Sequence, residues 1–324
     1  MSKDLLGIHH VTAITSDAQR NVDFYTGLLG LRLVKVTVNF DDPGAHHLYY
    51  GDEVGHPGTI LTFFAWPGVP RGRPGTGQLS AVALTIPHAS LDYWTQRLLS
   101  GGIQHQGPSA SLGEQVLLLH DPDGMAIELV AHPRAQERPG WAGGLVPAEH
   151  AIRGIHSVTV WEEGYEHTAR HLTETLGFRL VAEEQNIFRY EVGAGGPGAL
   201  ITVRCAPEFL RGVMAGGSIH HVAWRAATDA QQRTWREVLS SQGVDVTPIL
   251  DRQYFHSIYF REPGGVLFEI ATDPPGFTID EPIEHLGSQL KLPPWLEPAR
   301  SEIEQALPPF PRASSADTSA HRLI

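Results

Sequence analysis

Four stretches of this chain can be laid over one another, and any fold assigned to it has to accommodate that repeat. They open at GIHHVTAIT (7–15), GQLSAVALT (77–85), GIHSVTVWE (154–162) and GSIHHVAWR (217–225), each a short apolar run behind a glycine, readable as a strand. Behind each comes an amphipathic helical segment: DAQRNVDFYTGLLG, ASLDYWTQRLLSGG, GYEHTARHLTETLG and DAQQRTWREVLSSQG. All four close on glycine, the residue a left-handed helix cap requires. Strands joined by Gly-, Pro- and Asp-rich turns then complete the unit: YYGDEVGHPGTILTFFA, LLHDPDGMAIELVA, YEVGAGGPGALITVRC and YFREPGGVLFEIAT. The unit is β-α-β-β-β, with modules at about 5–67, 77–133, 153–206 and 217–277. The expected class is α+β, an N-terminal pair of modules (1–140), a linker WAGGLVPAEHAI (141–152) and a C-terminal pair (153–277). A tail (278–324) follows, with a short helical run ARSEIEQAL; its last residues, SSADTSAHRLI, are polar and expected to be unstructured.

Two positions can be compared across the modules. The first precedes a valine present in every copy: His10 before Val11, Ala81 before Val82, Ser157 before Val158, His221 before Val222. A recurrent valine packs under its own helix, and side chains alternate along a strand, so its predecessor faces the hollow of the sheet. The second is the fourth residue after the turn glycine that opens the last strand, which gives Thr62, Glu128, Thr202 and Glu269. Modules one and two together, or three and four, offer one imidazole each. Modules one and four offer His10, Thr62, His221 and Glu269, two imidazoles and a carboxylate, the set that binds Fe(II) on one face of an octahedron. Modules two and three keep only Glu128 beside Ala81, Ser157 and Thr202, so that half is expected to be an empty, metal-free scaffold. The sequential pairings stay open, since a dimer can bring modules together across subunits.

The composition fits such a site. A formal charge of −12 disfavours nucleic acid or an anionic membrane surface as partner. No run has the length of a membrane span, and MSKDLLGIHH lacks a signal-peptide core, so the cytoplasm is the expected compartment. Cys205 is the single cysteine, which leaves no disulfide framework and no thiolate site. Fe(II), or Mn(II), persists in a reducing compartment. The remaining histidines singled out, His46, His47, His56, His105, His120, His167 and His171, are read as surface residues of loops and helix faces.

The repeat resembles the vicinal oxygen chelate superfamily, in which two such units curl a sheet around a metal; the likeness covers residues 5 to about 277. The closing stretch RQYFHSIYFREPGGVLFEIATDPPGF, the opening IHHVTAIT and the tail LGSQLKLPPWLEPARSEIEQALPPF are similar to those of the hydroquinone-type ring-cleaving dioxygenases. The resemblance implies two curled-sheet pseudo-barrels, a non-haem iron centre and cleavage of a small aromatic ring with O2 as co-substrate. It further implies that His9, His220 and Thr12 orient ligands or bond substrate oxygens, and that Arg252 and Tyr259 contact the substrate or the oxygen chemistry. Other readings are an extradiol catechol dioxygenase, a glyoxalase-like isomerase or lyase, and an aromatic-binding protein without chemistry. Thr62 in the fourth cup position counts against a four-ligand isomerase. A homo-oligomer is expected, with the tail covering the cup or a partner subunit.

Overall fold

The computed structural model describes residues 4–312; the polar end expected to be unstructured lies outside the described residues. Its elements follow the repeat. Module one runs β1 (Ile8–Thr15), α1 (Ala18–Val22), β2 (Arg32–Asn39), β3 (Asp42–Gly51) and β4 (Ile60–Ala65). Module two runs β5 (Gln78–Pro87), α2 (Leu91–Ser100), β6 (His105–Ser111), β7 (Glu114–His120) and β8 (Ala126–His132). Module three comprises β9 (Ile155–Glu162), α3 (Glu166–Arg170), β10 (Arg179–Glu184), β11 (Ile187–Glu191) and β12 (Leu200–Cys205). Module four comprises β13 (Ile219–Ala226), α4 (Asp229–Ser241), β14 (Leu250–Asp251), β15 (Phe255–Arg261) and β16 (Leu267–Pro275). The helices of modules one and three are not α-helical throughout. Both widen into π turns, over Asp23–Leu28 and His171–Thr175, where Leu29 N–H bonds Phe24 and Leu176 N–H bonds His171 five residues back.

The sixteen strands of the described residues join one sheet in two curled halves. Each half is two modules joined antiparallel through their opening strands: β1 on β13, and β5 on β9. The first module therefore combines with the fourth and the second with the third, so each half draws on both ends of the chain. A single register pair, Ile219 with Leu79, connects the halves through β13 and β5. Val11, Val82, Val158 and Val222 are fully buried in the core that also takes Val22 and Tyr25, Trp94 and Leu98, Leu172, and Trp235 and Leu239 from the helical segments. That places the residue before each valine on the opposite, concave face. The turn glycines Gly58, Gly124, Gly198 and Gly265 all have φ between +86° and +95°, a region open to glycine but costly for side-chain residues. Each is followed two residues later by the first residue of β4, β8, β12 or β16, which fixes the register of the last strand in every module.

The tail lies along β2 and β3. Fully buried Lys35 on β2 pairs with Asp280 (2.6 Å) and Glu281 (2.5 Å) of the tail, and Val36 bridges Leu290. Further on, α5 (Arg300–Ala306) buries Ile303 against Val38 and Leu292. No helix among the described residues is long and apolar enough to cross a membrane.

Candidate metal centre

Register explains why distant residues meet. On the concave face of the outer half, His10 lies opposite Ala223 and Thr12 opposite His221 across β1 and β13. Thr62 sits beside Thr12 on β4, and Glu269 beside Ala223 on β16. One strand further out, Tyr49 pairs with Thr62 and Tyr259 with Glu269. His10, His221 and Glu269 are all buried, and their ligand atoms lie within 4.8 Å of one another. Nε2 of His10 is 3.4 Å and Nε2 of His221 2.9 Å from Oε2 of Glu269. Despite that approach, neither Nε2 of His221 nor Oε2 of Glu269 makes a hydrogen bond of acceptable geometry among the described residues. Orphaned polar atoms this deep are costly unless something else satisfies them. Two imidazole nitrogens and a carboxylate oxygen that converge here, with His221 Nε2 and Glu269 Oε2 left unpaired, suit a divalent cation.

The neighbours of the triad set its hydrogen bonding and charge. Nδ1 of His10 lies 2.9 Å from Nδ1 of His9, and Nδ1 of His221 lies 2.7 Å from Nδ1 of His220. Burial lowers the pKa of His9, and pushes His220 down to about 3, so both rings are neutral. With the proton of each pair on the His10 and His221 Nδ1, the Nε2 lone pairs of these two rings face the cup. Burial on its own would raise the Glu269 carboxyl, but the close approach of His10 and His221 outweighs it and holds Glu269 well below the usual range. Its other oxygen accepts from Ser257 Oγ. The Phe255 ring packs on His9 and His10, at 5.0 and 4.9 Å between centroids.

The remaining expected residues come to the same place. Thr62 Oγ1 donates to Thr12 Oγ1 at 2.9 Å. Arg252 Nε donates to the Tyr259 hydroxyl at 3.2 Å, while its other two nitrogens reach Asp41 at 3.2 and 2.9 Å. Tyr259 is held above its ordinary pKa, first by burial and then by the charge of Glu269. Thr12, Asp41, Arg252 and Tyr259 line a cavity of about 30 Å³ together with Asn39, Phe40, His47 and Phe64. A much larger groove, about 1010 Å³, lies under the tail among Leu33, Leu290, Leu307 and Phe310. Among the described residues it carries no convergent set of ligating groups, whereas the small cavity adjoins one.

Three of the histidines expected at the surface are buried: His46, His47 and His171. His47 is the consequential one. Its Nε2–H donates to Thr62 Oγ1 at 2.8 Å, and its Nδ1 accepts from the Tyr49 hydroxyl at 2.8 Å. Burial, then the nearby His10 and His221, keep it neutral. Alternation could have found it, because His47 and Tyr49 are two apart on β3, and Tyr49 is cross-strand from the cup position Thr62.

The inner half also departs from expectation, for it is not an empty scaffold. Arg189 is cross-strand from Thr202 and donates to its hydroxyl through Nε at 3.2 Å and to Glu114 through Nη1 at 2.5 Å. Nε2–H of His156 donates to the other oxygen of Glu114 at 2.9 Å, and His132 lies 3.8 Å from the same oxygen. Glu114, His132 and His156 thus form a second group of two imidazoles and a carboxylate within ligating distance of one another. Two observations count against a metal there. The Arg189 guanidinium already supplies the positive charge. His132 Nδ1 accepts the Arg134 N–H at 3.1 Å, so its neutral form carries its proton on Nε2, the atom facing Glu114.

A domain model for the glyoxalase/bleomycin resistance protein/dioxygenase superfamily matches residues 7–129 and again 154–270. The chain belongs to that superfamily. It is 44% identical over 310 residues to MhqO of Bacillus subtilis (strain 168), a protein carrying the name of a ring-cleaving dioxygenase, covering 96% of this chain and 98% of that one. It is also 34% identical over 306 residues, 92% of this chain and 94% of the other, to the chlorohydroquinone/hydroquinone 1,2-dioxygenase of Sphingobium indicum. The crystal structure of a protein from Bacillus subtilis subsp. subtilis str. 168 that carries the name of a dioxygenase superposes with a TM-score of 0.89 at 44% identity, covering 95% of this chain and 98% of that one.

Proposed function

We propose that this protein is a non-haem Fe(II)-dependent dioxygenase that cleaves the ring of hydroquinone-type aromatics, with the ion held by His10, His221 and Glu269. The observation that carries the reading is the convergence of two imidazole nitrogens and one carboxylate oxygen, those of His221 and Glu269 left without hydrogen-bond partners, in a buried cup that also presents Arg252 and Tyr259. The names of the relatives support the substrate class. His10, His221 and Glu269 would hold a ferrous ion, which would supply the electron relay between an electron-rich ring and dioxygen.

The chain's own residues do the rest. His9 and His220 orient the two imidazoles by accepting their Nδ1 protons. Tyr259 and Thr12 offer hydroxyls at the cup wall for an oxygen of the ring, and burial keeps Tyr259 protonated, hence a donor, at neutral pH. Arg252 places a fixed positive charge where negative charge develops on oxygen. Phe64 and Phe255 provide apolar faces for an aromatic ring and keep water out. Thr62 is committed to Thr12 and His47, which leaves the fourth cup position without the carboxylate that a four-ligand isomerase uses.

The test is anaerobic reconstitution with Fe(II) and, separately, Mn(II), followed by oxygen uptake with hydroquinone, chlorohydroquinones and catechol. Uptake with hydroquinones at one metal per chain is expected, above that with catechol. A preference for catechol would convert the reading to an ortho-diol dioxygenase, and no uptake with any diphenol would end it.

A further inference from the structure

The cup is closed in a particular way. About 30 Å³ holds roughly two waters, far short of a six-membered ring with two oxygens. What caps it is the turn from β2 to β3, where Asn39, Phe40 and Asp41 line the cavity. Asp41 has a side chain 71% exposed, and it grips the two terminal nitrogens of Arg252, whose side chain is only 16% exposed. The third nitrogen of that guanidinium points inward to Tyr259. The tip is also held from behind, because Phe40 meets Trp295 of the tail edge-on at 5.6 Å between centroids.

Arg252 is therefore a two-sided group. Its inner edge belongs to the cup, and its outer fork is occupied by a carboxylate in the bidentate arrangement that guanidinium prefers. An exposed ion pair of this kind is weak and yields readily. We propose that Asp41 is a positioning residue that acts through Arg252: it occupies the guanidinium fork in the resting protein, and an incoming ring takes its place with an oxygen remote from the metal, lifting the β2–β3 tip. Binding is then an exchange of one oxygen partner of Arg252 for another, which favours rings that carry a second oxygen. The identity of the ring rests on the function proposed above; the latch itself does not.

The test uses Asp41→Asn, which keeps the size of the side chain and removes its charge. Without substrate, amide hydrogen exchange over residues 39–42 should rise at least ~5-fold relative to wild type, and acrylamide should quench Trp295 more strongly, with Trp295→Phe identifying its signal. With Fe(II) loaded and hydroquinone added under nitrogen, the variant should bind ~3–10-fold more tightly. In oxygen uptake the change should fall on KM rather than on kcat. Raising the salt concentration should lower KM for wild type and leave that of the variant flat, because salt screens the exposed pair. Unchanged exchange, or an increase in KM, would overturn the proposal. Should wild type bind hydroquinone yet turn over no diphenol, the function fails while the exchange and binding results still decide the latch.

Discussion

The outer and inner halves of the sheet are built from equivalent strands, yet they answer the same geometric problem with opposite chemistry. Each has two opening strands side by side and a polar residue at the fourth place after a turn glycine. In the outer half the concave positions carry His10, His221 and Glu269, and the cross-strand neighbours are tyrosines, Tyr49 and Tyr259. In the inner half the matching positions carry Ala81, Ser157 and Glu128, and the cross-strand neighbours are Leu118 and Arg189. The outer cup leaves nitrogen and oxygen lone pairs converging without partners. The inner one folds an arginine into the hollow and closes its charges on themselves. The fold thus supplies two hollows, and a handful of side chains decides which accepts a cation.

The sharpest way to break this comparison is to count bound metal. Substituting Ala for His10, His221 or Glu269 should take reconstituted protein from about one Fe per chain to below ~0.1, and abolish oxygen uptake by at least ~100-fold. His156→Ala and Glu114→Gln should leave the stoichiometry at about one. If wild type bound two ions and His156→Ala bound one, the inner cup would be a site, and the argument from Arg189 would fall.

A smaller effect separates the halves by stability. Burial alone would raise the Glu114 carboxyl, but His156 and Arg189 outweigh it and bring it down to about 2. The native state therefore resists protonating Glu114 where the unfolded chain, with its ordinary glutamate pKa near 4.5, accepts a proton. A depressed carboxyl contributes stability that is complete above pH 4.5 and is lost as pH falls toward 2. After allowance for solvent screening of this partly exposed group, Glu114→Gln should cost about 1–2 kcal/mol at pH 7. The gap between the urea unfolding free energies of wild type and variant should narrow between pH 4.5 and 2. A gap that stays constant with pH would mean that Glu114 acts through packing alone.

Much of this was legible from the repeat. Internal symmetry, together with alternation, named His10, His221 and Glu269 and placed Thr62 between them, because the valine and the glycine of each module mark strand faces without reference to any other protein. His47 escaped because its neighbour His46 made the stretch look like a polar loop, and the face of β3 depends on its register with β4. The inner network escaped for a related reason. Glu114 opens β7, His132 closes β8 and Arg189 lies on β11, so three modular positions outside the repeat had to be brought together by pairing across β5 and β9. Side-chain reach across a curled sheet leaves no periodic trace in a sequence. The π turns behind α1 and α3 are equally silent, since their residues also satisfy an ordinary amphipathic pattern.

The smallest predicted effect concerns Glu128, the one carboxylate that the repeat places at a ligand position in the inner half. Burial raises its pKa; Arg189 acts against this and Glu114 with it. Its charge is thus a burden on the native state, the reverse of Glu114. For an acid whose folded pKa lies above its unfolded one, the native state binds the extra proton, so stability falls as pH rises through that window and stays reduced above it. Glu128→Gln removes the charge and should stabilise the protein at pH 7 by less than ~1 kcal/mol, with no change in bound iron. The gain should vanish as pH drops below the usual carboxylate range, where wild-type Glu128 is protonated in both states. A loss of stability at pH 7 would show instead that Glu128 is a favourable partner of Arg189, and that the inner cup is held together by two carboxylates rather than one.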